Sequence, residues 1–179
     1  MSSSRFAVAT LSLGSCDSHR LEAKLHAASA AGFTSVELFV PDWEKYVETY
    51  LSENHLVDSR ENHLAAAGDL RSLLDSLHLR VNCLQPLRGV EGVADPIKRQ
   101  EKFDCFRAYL PICNIIDTDL ILCCSSIEPD GHGDVDTISR DLVELADMAA
   151  EWHETHGGKL VRVGYEALVI SYRHWPFVR

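Results

Sequence analysis

Glu166 is the residue in this sequence with the strongest claim to chemistry. It interrupts the apolar, strand-like stretch KLVRVGYEAL. A carboxylate placed there must find a partner, a ligand or a shifted pKa. Glu37 interrupts a second apolar stretch, TSVELFV, and two roles are open to it: an acid in a substrate site or half of an internal salt bridge. Gln85 directly follows LRVNCL, where it can hydrogen-bond a hydroxylated ligand or cap the turn before Pro86. His132 lies in the Gly-rich stretch IEPDGHGD, as a catalytic loop residue or a solvated histidine. His153-Glu154-Thr155-His156 spaces its histidines by three, whereas the zinc helix H-E-x-x-H spaces them by four, so it reads as the cationic end of a helix. Cys123 and Cys124 point to opposite faces of one strand and cannot chelate one ion together. No Ser-His-Asp arrangement stands out.

The elements that must position these groups alternate. Phe6 to Leu13 reads as a buried strand, followed by a helix capped at Asp17 or Ser18, carrying Leu21, Leu25 and Ala28 and stopped by Gly32. Thr34 to Val40 is a second strand, and Asp42 opens a helix with Trp43, Tyr46, Val47 and Tyr50 at helical spacing. Residues 52–62 read as a loop before a helix from His63 through Leu77. Leu79 to Leu84 is a third strand, ended by Gln85-Pro86. Asp95-Pro96 then caps a helix that Pro111 kinks or ends. Thr118 to Cys124 is a fourth strand, Asp134 or Asp136 caps a long helix closed by Gly157-Gly158, and Lys159 to Leu168 is a fifth strand. Strand–helix units repeated in this way imply parallel strands joined by helical crossovers. The turn after the first strand, LGSCDSH, lacks the G-x-G-x-x-G of dinucleotide binders.

Composition narrows the partners. The chain has 179 residues, 46% apolar, with 27 acidic and 17 basic side chains and a net charge of −10. That acidity disfavours a nucleic-acid partner. The longest apolar run, Leu120 to Cys124, is far below the ~20 residues of a membrane span, so no membrane association is expected. The polar start, MSSSRF, is not a signal peptide, and the six cysteines include no C-x-x-C pair, so a cytoplasmic protein without a disulfide framework is expected.

Four blocks at strand ends, SLGSC, GFTSVELF, CLQP and VGYEAL, occur in an order that resembles the sugar phosphate isomerase/epimerase superfamily, the xylose isomerase-like TIM barrels. Within it the chain is similar to fungal-type 3-dehydroshikimate dehydratases, and DLVELADMA before the fifth strand fits them too. The resemblance implies an α/β fold, here a partial (β/α)8 barrel of about five parallel strands, as a single domain over 1–179 with 174–179 as a non-matching tail. It implies a lyase that dehydrates 3-dehydroshikimate to protocatechuate in quinate catabolism, or else a sugar or hydroxy-acid isomerase of the same superfamily. It also implies a divalent cation, Mg, Mn or Co, with Glu166 as a metal ligand. Glu37 and Gln85 are then expected to bind a polyhydroxylated small molecule. The family's other ligands lie on strands beyond Arg179. The expectation is therefore a truncated chain, impaired in catalysis, either a non-catalytic fragment or a half-barrel that self-associates through its open edge.

Overall fold

A computed structural model of the protein describes residues 6–126, 131 and 133–168. Five strands, all parallel in the pairings described below, alternate with helices, an α/β architecture. The described residues form two compact units, one within Met1–Gln85 and Pro111–Asp119, the other within Pro86–Leu110 and Leu120–Arg179.

The first unit opens with β1, Ala7–Ala9, which pairs with β2, Ser35–Phe39. The strand is shorter than the apolar run Phe6 to Leu13 suggests, because Thr10–Leu13 turn into a 3-10 helix. Thr10 is fully buried, and its hydroxyl accepts the Phe39 N–H at 3.0 Å, tying that turn to the end of β2. Helix α1, Leu21–Ala30, starts after Arg20 with no side-chain cap, so Asp17 and Ser18 belong to the preceding turn. Leu21, Lys24, Leu25 and Ala28 form its buried face, the three- and four-residue spacing of an inward stripe. Lys24 lies on that stripe because Asp42 and the Gly14 carbonyl receive its ammonium, at 2.5 and 2.6 Å.

Helix α2, Val40–Glu53, follows β2 without a loop, with Pro41 in its first turn, where a missing N–H costs nothing. Helix α3, Arg60–Ser76, begins three residues before His63, because the Ser59 hydroxyl caps it by accepting from Asn62 N–H at 3.2 Å. The expected loop 52–62 is correspondingly shorter. The Tyr46 hydroxyl donates to Asp69 and joins α2 to α3.

Strand β3, Arg80–Arg88, pairs with β2 from Ser35↔Arg80 to Phe39↔Gln85 and runs on through Pro86. Pro86 does not end it as expected: its missing N–H falls just past the last β2 partner, so that ladder loses no bond. Helix α4, Pro96–Ile115, is capped by Asp95, which accepts from Ile97 and Lys98 N–H groups, and it continues through Pro111.

In the second unit β4, Leu120–Cys124, pairs in parallel with β5, Arg162–Glu166. Between them runs α5, Val135–His156, capped by Asp134 through the Thr137 N–H and ended at Gly157, whose φ is 74°. Leu145 and Ala149 bury its inner face, and Asp141 lies on the same stripe, 3% exposed. No helix among the described residues is long and apolar enough to cross a membrane.

Candidate active site

Parallel strands present their C-terminal residues together at one end of a sheet, and Glu166 is the last residue of β5. Its register partner is Cys124, the last residue of β4. The pairing continues past both strands: Ser125 N–H donates to the Glu166 carbonyl at 2.9 Å, and Leu168 N–H donates to the Ser125 hydroxyl at 2.8 Å. Gly164 lets the strands lie close, since a Cβ there would stand 3.1 Å from a Leu122 methyl. The Glu166 residue is exposed and Cys124 is buried. The Cys124 thiol donates to Glu166 Oε2 at 3.1 Å. Burial, then the hydrogen bond and charge of Glu166, push that thiol up to about 11.

A second carboxylate, which nothing in the sequence pattern marks, stands on the opposite side of β5. Glu91, in the loop after β3, is 2% exposed. Its Oε1 accepts the Ser126 N–H and, at 3.3 Å, the Tyr165 hydroxyl. Burial raises the Glu91 carboxyl above its ordinary value, which these hydrogen bonds only partly offset. The Tyr165 phenol is pushed up to about 12, by burial first and by the Glu91 charge next. Asp141 continues the network: it accepts Gly92 N–H at 2.7 Å and two Arg99 donors at 2.7 and 3.2 Å, while Arg99 also meets Glu144 at 2.6 Å.

Glu37 and Gln85 belong to the first unit, on the paired strands β2 and β3. Glu37 is the register partner of Cys83, two residues before Gln85. Both are half-buried, and neither side chain makes a hydrogen bond or ion pair among the described residues. Burial, and secondarily the Glu37 charge, raises the Cys83 thiol to about 12. Among the described residues, Glu37 therefore makes no internal salt bridge. Gln85 sits within β3 and caps no turn there. His132 lies outside the described residues. His156 stacks on Trp152 at 5.0 Å and its Nδ1 lies 3.0 Å from the Trp152 carbonyl, in the last turn of α5.

A divalent cation needs several oxygens fixed together. Among the described residues Glu166 has one side-chain hydrogen-bond partner, a protonated thiol, and no three His, Cys, Asp or Glu side chains form a group able to hold a metal. The described donor set does not fit such a centre.

No protein-family model matches the chain. Three curated relatives do. A 3-dehydroshikimate dehydratase of Neurospora crassa is 27% identical over 175 residues, covering 95% of this chain and 47% of that protein. One of Pseudomonas aeruginosa is 32% identical over 167 residues, covering 90% of this chain and 21% of that protein. The chain thus spans less than half the length of the curated relatives it matches. Among solved structures, a xylose isomerase-like TIM barrel/4-hydroxyphenylpyruvate dioxygenase fusion protein is 28% identical with a TM-score of 0.69, over 92% of this chain and 22% of that one. The IolI protein with a bound zinc atom, 15% identical over 92% of this chain and 52% of that one, shares the fold with a TM-score of 0.65. By sequence and by fold, this chain resembles part of a xylose isomerase-like TIM barrel, and by sequence it is similar to 3-dehydroshikimate dehydratases.

Proposed function

We propose that this chain carries part of the machinery of a lyase that converts 3-dehydroshikimate to protocatechuate and water. The observation that carries this reading is the likeness to a curated dehydratase along 95% of the chain. Glu166 supports it, because a carboxylate exposed at the C-terminal end of a parallel strand sits where such folds do their chemistry.

Dehydration breaks a C–H bond next to the substrate ketone and the C–O bond of a hydroxyl, which leaves as water. A carboxylate assists by accepting a hydrogen bond from a substrate hydroxyl or by taking the proton. Glu166 is proposed for that role, with the Cys124 thiol holding its Oε2 and leaving Oε1 to the substrate. Because the described donor set does not fit a divalent cation, no step is assigned to one. In the first unit, Glu37 and Gln85 are proposed to bind hydroxyl groups of a small molecule, since their side chains make no hydrogen bond or ion pair among the described residues.

The test is to incubate the chain with 3-dehydroshikimate, with and without added Mg2+, Mn2+ or Co2+, and to follow protocatechuate absorbance. The reading expects product that Glu166→Gln abolishes, at a rate below that of the longer relatives because one carboxylate stands without a ligand group around it. Absence of product under every condition overturns the dehydratase reading for this chain.

A further inference from the structure

Glu91 is a buried carboxylate in a loop, and taking such a group out of water costs free energy unless its hydrogen bonds compensate. Among the described residues, two side-chain-accepted hydrogen bonds reach it, and both converge on one oxygen, Oε1. The Ser126 N–H comes from just past β4, and the Tyr165 hydroxyl comes from β5. Its Oε2 is buried with no partner among the described residues. Ser126 lies two residues beyond Cys124, and Tyr165 immediately precedes Glu166. Successive side chains of a strand point to opposite faces, so Glu91 grips β5 on the face away from Glu166. The loop that carries Glu91 is itself anchored, because the next residue, Gly92, donates its N–H to the buried Asp141 of α5.

We propose that Glu91 is a positioning residue for Glu166: by joining Ser126 and Tyr165 through one carboxylate oxygen, it clamps the ends of β4 and β5 and so holds Glu166 against Cys124. This rests on the reading of Glu166 as a functional carboxylate. An apolar side chain would fill the same space but could bond neither group.

The test compares Glu91→Ala and Glu91→Gln with the unaltered chain. The alanine removes the acceptor, while the glutamine keeps a carbonyl oxygen in its place. Labelling by N-ethylmaleimide, resolved cysteine by cysteine with peptide mass spectrometry, reads the Cys124–Glu166 contact directly. The exposed Cys105 is the reference, and the buried Cys83 and Cys113 of the first unit report general loosening. In Glu91→Ala the Cys124 rate should rise on the order of tenfold relative to Cys105, the effect of losing a charge-assisted hydrogen bond. Cys83 and Cys113 should not change, and Glu91→Gln should restore the slow rate.

Two outcomes overturn the proposal. One is an unchanged Cys124 rate in Glu91→Ala while hydrogen exchange at the Ser126 amide is accelerated. The other is a parallel rise of Cys83, Cys113 and Cys124, which marks a merely structural residue. The labelling does not depend on turnover, so absence of protocatechuate sinks the dehydratase reading and leaves this result standing.

Discussion

The Cys124 thiol donates to Glu166 Oε2 across 3.1 Å, joining the last residues of two paired parallel strands. A thiol held in this way is a poor nucleophile, because the thiolate is disfavoured by burial and by the adjacent carboxylate. With Glu166→Gln the negative charge is gone, and the midpoint of the pH–alkylation curve at Cys124 should fall below that of the unaltered chain, where burial and Glu166 push the thiol up. An unmoved midpoint would show that burial alone sets the thiol.

The ion pair between Lys24 and Asp42 is 2.5 Å long with both side chains 1% exposed. Removing one partner of such a pair leaves a buried charge uncompensated, at a cost of about 3–5 kcal/mol. Lys24→Met and Asp42→Leu should each lower the unfolding free energy measured in urea by that much, and the double variant should be less destabilised than the sum of the two. Additive losses in the double-variant cycle would refute coupling between them.

Glu91 makes stability depend on pH in a definite direction. Its carboxyl titrates above its ordinary value of about 4.3, so the folded chain holds the proton more tightly than the unfolded chain. The stabilisation is complete below that ordinary value and is lost as pH rises through the folded value. Burial is the main cause, and Asp141 adds like-charge repulsion. Urea unfolding between pH 4 and pH 8 should therefore show the wild type losing stability relative to Glu91→Gln as pH rises. A constant difference between the two proteins would contradict the assignment.

Strands β1 and β5 each have one described partner strand. An unpaired edge is a template for another strand. The chain is therefore proposed to self-associate. Light scattering behind size exclusion should then give a mass above 20.0 kDa that rises with concentration, and a monomer at every concentration overturns this.

Much of this protein is legible in its sequence. The five strands and the helices between them follow from apolar periodicity. Asp95 is legible as a cap, and Asp134 as one of two candidates with Asp136, because the capping bond is local, reaching only two or three residues along the chain. Glu166 stood out because a carboxylate in an apolar strand is expensive. Two more charged residues carry a similar signal: Lys24 and Asp141 occupy positions of the buried helical stripes of α1 and α5, where a charge demands a partner.

The partners themselves were beyond the sequence. Asp42 for Lys24, Arg99 for Asp141 and Cys124 for Glu166 lie 18 to 42 residues away, and chain folding alone brings them together. Glu91 had no signal at all, since a loop has no period against which a buried carboxylate looks out of place. Sequence thus determined which elements form, because hydrogen bonding and periodicity act over a few residues. Tertiary structure decided which carboxylates are held, and by what, because burial and ion pairing act between segments distant in the chain.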